Sequence, residues 1–112
     1  MKALRPGRVG DLTLRNRIVK TATYEGMSPG GRPGPRLTAL HGGLAERGVA
    51  LTTVAYAAVE PQGRTFGEQL LLDDAARPEL TRLTERVHAA GGAASIQLAH
   101  CGGFTKTGDP RG

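Results

Sequence analysis

Residues 49–59 form the longest stretch of the chain without alternation of apolar and polar positions, reading Val-Ala-Leu-Thr-Thr-Val-Ala-Tyr-Ala-Ala-Val. This pattern is typical of a strand covered on both faces, as strands of a parallel sheet are. A shorter strand is predicted after Arg17, ending near Thr21, and a third over residues 93–98. The pattern therefore predicts at least three strands, with the most deeply buried one in the middle of the chain.

Two segments between these strands repeat their apolar residues at helical spacing. The first contains Leu37, Leu40, Leu44 and Ala45. We expect this helix to end at Gly48 and to need tertiary support, because Gly42-Gly43 costs about 1 kcal/mol per glycine relative to alanine. The second is predicted to follow a cap at Asp73-Asp74 and to end at Gly91-Gly92. Its buried stripe consists of Leu80, Leu83, Val87 and Ala90.

The remaining segments are predicted to be turns and loops. Gly10-Asp11 lies between two short apolar runs, which indicates a β-hairpin. Residues 27–35 are predicted to be an exposed loop, and residues 60–72 a second loop. The order is then an N-terminal β-hairpin followed by β-α-β-α-β, and alternation of strands and helices favours a parallel α/β fold. No repeat or linker divides the chain, so residues 1–112 are expected to form a single segment.

Composition excludes several classes of function. The net charge is +5, but the arginines are scattered from Arg5 to Arg111 without aromatic interleaving, so we expect no nucleic-acid partner. The single cysteine, Cys101, excludes an internal disulfide, and no His/Cys cluster has metal-ligand spacing. The N-terminus lacks an apolar signal segment, and no apolar run is long enough to span a membrane. We therefore expect a cytoplasmic protein with no metal and no membrane contact.

Three motifs lie beside the predicted strands, in the order Leu-Thr-Leu-Arg-Asn-Arg-Ile-Val (12–19), Val-Glu-Pro-Gln-Gly-Arg (59–64) and Ser-Ile-Gln-Leu-Ala-His (95–100). Together they resemble the first three strand-loop units of an FMN-dependent oxidoreductase of the Old Yellow Enzyme type, the NADH:flavin oxidoreductase family. A complete α/β barrel takes roughly 250 residues, and this chain has 112. The resemblance implies a partial TIM (β/α)8 barrel, the N-terminal portion of an FMN-binding barrel.

The resemblance also implies which residues contact the flavin. The family places backbone after the first strand along the N5 side of the flavin ring, where this chain has Ala22, Thr23 and Tyr24. At the end of the second strand the family usually has Thr-Glu-Ala, whereas this chain lacks the glutamate and has Tyr56, which would pack near the ring. Gln97 matches the glutamine of the third strand, whose carboxamide can pair with the N3–H and O2 of the flavin pyrimidine.

Each of these assignments has a structural alternative. Gln97 can be a satisfied core amide, and Tyr24 and Tyr56 can be packing residues. The resemblance puts His100 at the substrate pocket, but a structural histidine is the simpler interpretation than a catalytic one. The family usually continues with Ala-Gly-Arg after this histidine, and the arginine is absent here. Cys101 has no flanking cation to lower the pKa of its thiol, so no nucleophile is assigned.

Arg15, Asn16 and Arg17 are expected to be structural, because they precede the first strand at the stability face of a barrel. The family's proton-donating pair and phosphate-holding residues lie beyond the third strand, so the catalytic residues remain unassigned in this chain.

The function implied by the resemblance is FMN-dependent oxidoreduction. Hydride would pass from NAD(P)H to FMN and then to an electron-poor alkene such as an enone. The chain would act as the N-terminal piece of such an enzyme and would require the remaining barrel as its partner. The alternative is a catalytically inactive half-barrel that assembles with itself or with another chain, since unpaired apolar sheet edges favour association.

Overall fold

A computed structural model describes residues 1–104 of the chain. It begins with a short hairpin of two antiparallel strands, β1 (Gly7–Val9) and β2 (Leu12–Leu14). The turn between them contains Gly10, whose φ of 58° lies in the left-handed region that glycine adopts without steric cost. The predicted hairpin is thus confirmed.

A parallel sheet of four strands follows: β3 (Val19–Lys20), β4 (Leu51–Ala58), β5 (Leu70–Leu71) and β6 (Ala93–Ala99). Each of the others pairs with β4. β3 joins its beginning, with Val19 opposite Leu51, and β5 joins its end, with Ala57 opposite Leu70. β6 runs along the whole length of β4. The strand predicted over 49–59 is therefore the centre of the sheet.

The strand β5 was not predicted, because it falls inside the segment expected to be a loop over 60–72. Two residues are too few to show either a helical or an alternating period. The pairing depends on the end of β4, where Ala57 and Ala58 are fully buried. The loop is thus attached to the sheet by a strand pairing that no local sequence pattern predicts.

Two helices, α1 (Pro35–Glu46) and α2 (Arg77–Ala89), pack against each other and against the sheet. Short 3-10 turns precede or follow several elements: Lys2–Leu4, Pro29–Gly31, Pro61–Gly63, Asp74–Ala76 and Gly102–Phe104. The core between helices and sheet consists of Leu37, Ala45, Val54, Ala57, Leu70, Ala76, Leu83 and Val87. Leu80 and Ala90 of the predicted stripe are partly buried against it. The order is the predicted hairpin followed by β-α-β-α-β, with the short β5 added between β4 and α2.

Both helices end as predicted, at glycines. The N–H of Gly48 donates to the carbonyl of Ala45 at 3.1 Å, and the N–H of Val49 donates to that of Leu44 at 3.1 Å. Gly91 and Gly92 repeat this arrangement on the carbonyls of His88 and Val87. Such paired hydrogen bonds terminate a helix when the residue after its last turn has positive φ. Here Gly48 and Gly91 have φ of 110° and 88°.

Arg15 and Asn16 tie these helix ends to the chain before β3. The Arg15 guanidinium donates to the carbonyl oxygens of Ala45, Val49 (2.8 Å) and Ala90 (2.5 Å). The Asn16 amide donates to the carbonyl of Gly48 at 2.7 Å. A cation at helix C-termini is favourable because the last carbonyls carry partial negative charge. The structural interpretation of these two residues is confirmed.

Asp73 forms the predicted cap before α2. Its Oδ1 accepts from the N–H of Ala76 at 3.2 Å, and the turn that this starts leads directly into the helix. Both carboxylate oxygens also accept from Arg32, at 2.7 Å each. The hydrogen bonds from Arg32 lower the pKa of the Asp73 carboxyl below its ordinary value of 3.8. One side chain therefore joins the segment before α1 to the start of α2.

The two outer strands, β3 and β6, each pair only with β4 within residues 1–104. Large apolar side chains are exposed on both strands or directly before them: Ile18, Val19, Ile96 and Leu98. Two unpaired parallel edges with exposed apolar residues are what a barrel shows when part of its wall is absent. No helix within this described part is long and apolar enough to cross a membrane.

Replacing Arg15 by alanine is expected to lower the free energy of unfolding by about 1–3 kcal/mol, because charged hydrogen bonds to both helix ends are lost. Urea denaturation followed by circular dichroism measures this. The matched control is Arg8→Ala, which removes an exposed arginine whose ion pair with Asp11 spans 3.8 Å. Equal effects of the two substitutions would contradict the role given to Arg15.

Asp73→Asn is expected to flatten the acid dependence of stability. A carboxyl whose pKa is lowered by folding contributes stability above its unfolded pKa and loses it as the pH falls through the folded value. Stability of the wild type should therefore drop more steeply than that of Asp73→Asn below about pH 4. Asparagine can still cap the helix. Urea denaturation from pH 7 to pH 3 is the measurement, with the exposed Asp74→Asn as control.

Candidate functional site

The carboxyl ends of β3, β4 and β6 lie at the same edge of the sheet, because the three strands are parallel. In parallel α/β barrels this edge carries the functional groups. All of the residues that the sequence analysis proposed lie on it or in the loops that leave it: Ala22, Thr23, Tyr24, Tyr56, Gln97 and His100. We refer to this edge, with residues 21–25, 55–60 and 97–101, as the candidate edge.

The pairing of β4 with β6 changes register at the candidate edge. Val54 lies opposite Ile96, and Ala57 lies opposite Leu98. Ala55 and Tyr56 therefore share the single position of Gln97 on the neighbouring strand. The peptide bond between Ala55 and Tyr56 is cis. Irregular pairing of this kind re-aims side chains and is common next to active sites.

Three aromatic side chains gather beside this irregularity. The ring centres of Tyr24 and Tyr56 are 5.2 Å apart, and those of Tyr24 and Phe66 are 4.9 Å apart. Burial, and then the nearby Tyr56 and Glu68, raise the pKa of the Tyr24 phenol above its ordinary value of 10.0. Phe66 was not predicted, since it lies in a loop. The only sequence indication is that this cluster takes three of the four aromatic residues of the chain.

Gln97 presents an exposed carboxamide on β6. Nothing within residues 1–104 makes a hydrogen bond with this side chain, so it is not a satisfied amide of the described core. A free carboxamide offers one acceptor oxygen and two N–H donors in one plane. At this place it can pair with a planar ligand that presents a donor next to an acceptor.

The backbone N–H groups of Ala22, Thr23 and Tyr24 are similarly unpaired within the described chain. The next N–H, that of Glu25, donates to the carbonyl of Ala55 at 3.3 Å. The segment therefore leaves β3 with three donors in succession and is fastened to β4 again only at Glu25. Such a run of N–H groups suits a ligand that carries acceptor atoms along one edge.

His100 is held by the loops around it. Its Nε2 lies 2.8 Å from Oε1 of Glu60, and its Nδ1 accepts from the N–H of Gly102 at 2.9 Å. A neutral imidazole that accepts at Nδ1 carries its proton on Nε2 and donates it to Glu60. The backbone of Gly63 packs on the ring so closely that a Cβ there would lie 2.8 Å from it. These contacts join the loops after β4 and β6, as a structural histidine would.

The structure also contains a buried polar cluster that the sequence pattern does not predict. Glu25 Oε2 lies 2.7 Å from His41 Nε2 and 3.2 Å from Lys20 Nζ. His41 Nδ1 is 2.6 Å from Oγ1 of Thr52, and the imidazole is fully buried. The available indication was the position of His41, midway between Leu37 and Ala45 on the buried stripe of α1. Its partners come from distant parts of the chain.

Other features of the surface lie away from the candidate edge. A concavity of about 600 Å³ at the start of α2 is lined by Leu72, Asp73, Asp74, Arg77, Leu80, Thr81 and Thr84. It contains none of the proposed site residues. Within the described residues no group of three His, Cys, Asp or Glu side chains is arranged to hold a metal ion.

Comparison with known proteins identifies the family of this chain. The sequence model of the family described as "NADH:flavin oxidoreductase / NADH oxidase family" matches residues 3–110. The chain belongs to this family. Over 97 residues it is 50% identical to 4,4'-dithiodibutanoate disulfide reductase of Rhodococcus erythropolis, covering 87% of this chain and 24% of that protein.

One further relative and one solved structure are also similar to this chain. The NADPH dehydrogenase of Bacillus velezensis is 36% identical over 104 residues, which cover 90% of this chain and 31% of the dehydrogenase. The crystal structure of Old Yellow Enzyme from Pichia sp. superimposes with a TM-score of 0.86 at 21% identity, covering 93% of this chain and 28% of that one. This second likeness shows the fold, a partial TIM barrel. The chain spans less than a third of these relatives.

The family's cofactor fits the donor set at the candidate edge. A flavin pyrimidine presents alternating acceptors and a donor, which a free carboxamide and a run of free N–H groups can match. Aromatic rings beside these groups offer an apolar surface for a planar ring. The unpaired state of Gln97 and of residues 22–24 within the described chain is the observation that supports the fit.

Tyrosine titration tests the aromatic cluster. The chain has two tyrosines, so Tyr56→Phe leaves Tyr24 as the only phenol. We expect this phenol to titrate above 10.0, because burial is the first cause of its raised pKa. Tyr56→Phe also removes the second cause, and Phe66→Ala in the same background should bring the pKa still closer to 10.0 by exposing the ring. Absorbance at alkaline pH follows the phenolate, and a lone Tyr24 that titrates like a free phenol would contradict the packing.

Proposed function

We propose that this chain forms the N-terminal part of an FMN-dependent NAD(P)H oxidoreductase that reduces an electron-poor alkene. The observation that carries the proposal is the meeting of unpaired hydrogen-bonding groups, from Gln97 and from residues 22–24, at the functional edge of a sheet in a member of this family. Because the chain spans 24% of its Rhodococcus relative, the remaining barrel wall would come from further sequence or from a partner.

The residues of this chain would bind and orient the cofactor. When bound, FMN would accept a hydride from a nicotinamide and transfer it to the substrate. Gln97 would pair with the pyrimidine edge through its amide N–H and oxygen. The N–H groups of Ala22, Thr23 and Tyr24 would donate on the N5 side, and Tyr56 would pack near the ring. Donors placed in advance at these positions stabilise negative charge as it develops.

His100 would form part of the wall of the substrate pocket. Its Nε2 proton is directed to Glu60 and its Nδ1 is occupied by the N–H of Gly102. Both ring nitrogens therefore have partners, and proton transfer to a substrate is not assigned to this side chain. We assign no proton donor and no phosphate-binding residue within this chain.

A chimera tests the proposal directly. This chain would replace the matching segment of the Rhodococcus relative, and FMN binding would be followed by quenching of flavin fluorescence. We expect Gln97→Met to weaken FMN binding about tenfold, because it removes hydrogen bonds while keeping the size of the side chain. Gln62→Met is the matched control, since it changes an amide in the loop after β4.

The reduced chimera would then be offered an enone and 4,4'-dithiodibutanoate, because the relative is named for the reduction of that disulfide. Oxidation of NAD(P)H by the enone supports the proposed substrate class. A folded chimera that binds no FMN would overturn the proposal. If the chain alone sedimented as a defined oligomer without flavin, the alternative of a catalytically inactive assembly module would be favoured.

A further inference from the structure

The polar cluster of Lys20, Glu25, His41 and Thr52 lies behind the segment that leaves β3. It is not part of the proposed flavin contacts, yet it contains the most deeply buried ionisable groups described. The Glu25 side chain is 6% exposed and that of His41 is fully buried. Burial of a carboxylate costs free energy unless the group is paired and hydrogen-bonded. The partners of Glu25 are therefore the contacts that stabilise it in this position.

Glu25 is fastened to β4 by two hydrogen bonds with the same residue. Its backbone N–H donates to the carbonyl of Ala55 at 3.3 Å. Its side-chain Oε1 accepts from the N–H of Ala55 at 3.2 Å. This reciprocal pair extends the attachment of β3 to β4 beyond the last strand residue and fixes residue 25 beside the place where the register changes.

The second carboxylate oxygen is held from two other elements. Oε2 contacts His41 Nε2 from α1 and Lys20 Nζ from β3. Neither Oε2 nor His41 Nε2 makes a hydrogen bond of good geometry within residues 1–104, so the carboxylate oxygen and the imidazole nitrogen meet in a close polar contact. Lys20 also donates to the carbonyl of Thr53 at 3.2 Å. Thr52 in turn holds the far side of the imidazole at 2.6 Å.

The cluster is adjacent to the aromatic cluster in both sequence and space. Tyr24 precedes Glu25, and Tyr56 follows Ala55, so the reciprocal hydrogen bonds join the residues next to the two contacting rings. The unpaired N–H groups of residues 22–24 lie between Lys20 and Glu25, the two ends of the segment that the cluster holds. A displacement of Glu25 would therefore move both the rings and these donors.

We propose that Glu25 is a positioning residue, which His41 and Lys20 hold against Ala55 so that residues 22–24 and the Tyr24–Tyr56 pair are fixed at the candidate edge. Its effect on the cofactor rests on the proposed function, but its effect on the two tyrosines does not. If the contacts of Glu25 were only structural, their loss would lower the stability of the chain and leave the packing of the two tyrosines unchanged. A positioning residue also determines the geometry of the groups attached to it.

The test combines a readout without flavin and one with it. Near-ultraviolet circular dichroism of the full chain reports the packing of Tyr24 and Tyr56. We expect Glu25→Gln to reduce this signal at least twofold under conditions where far-ultraviolet circular dichroism shows the chain folded, because the amide keeps an acceptor for Ala55 but cannot form ion pairs. In the chimera, Glu25→Gln is expected to weaken FMN binding about tenfold.

The matched control is Glu46→Gln, which removes the same charge from a surface pair with Arg86 at 3.0 Å. It should change neither the tyrosine signal nor FMN binding. If Glu25→Gln does not fold, Lys20→Gln serves instead, because Lys20 is less buried and its removal leaves His41 in place. It is expected to reduce the tyrosine signal by a smaller factor.

The outcomes separate this proposal from the proposed function. A changed tyrosine signal together with weaker FMN binding supports both. A changed tyrosine signal in a chain whose wild-type chimera binds no FMN supports the positioning role and overturns the flavin function. An unchanged tyrosine signal in folded Glu25→Gln, or in folded Lys20→Gln where the first variant is unfolded, would overturn the positioning role.

Discussion

The structure depends on β4, the strand with which β3, β5 and β6 all pair. A strand with neighbours on both edges and a helix layer against it has little space for large side chains, and Ala57 and Ala58 are fully buried. Their small size lets the helices approach the sheet closely, but each alanine buries only a small apolar area. The larger residues of the core are supplied by the helices, chiefly Leu37, Leu83 and Val87. Parallel pairing along β4 then places every loop that follows a strand at one edge.

Polar contacts are divided between the two ends of the sheet. At the end where the strands begin, Arg15 and Asn16 donate to carbonyls that close the helices. These side chains are engaged in holding the helix ends. At the opposite end, the Glu25 cluster fastens one residue of the segment after β3, while Gln97 and three N–H groups keep their hydrogen-bonding capacity within the described chain. This separation of stability from binding is a general property of α/β barrels.

Membership of the NADH:flavin oxidoreductase family and the partial barrel account for the exposed edges of β3 and β6. Within a barrel these strands would have further neighbours, and their exposed apolar residues would be covered. The same argument explains why Gln97 is exposed here although it lies on a strand. The proposed flavin site is assembled from strand ends, so a chain with three barrel strands can contribute one side of it. The aromatic cluster and the loops joined by His100 lie on that side of the proposed site.

The sequence by itself determined the features that depend on neighbouring residues. The unbroken apolar stretch over 49–59 predicted the central strand, the helical spacing and the glycines predicted both helix ends, and Asp73 predicted the cap. The three motifs predicted the family, and the residues proposed for the site lie at one edge of the sheet. Only the tertiary structure decided that β5 pairs with β4, that Phe66 joins Tyr24, and that His41 meets Glu25. In each case the partners are distant along the chain and neither one has a local pattern that identifies the other. The physical reason is that a buried polar side chain or a two-residue strand is stabilised by partners from other parts of the chain, which only folding places beside it. The periodicity of apolar residues indicates only which face of an element is buried.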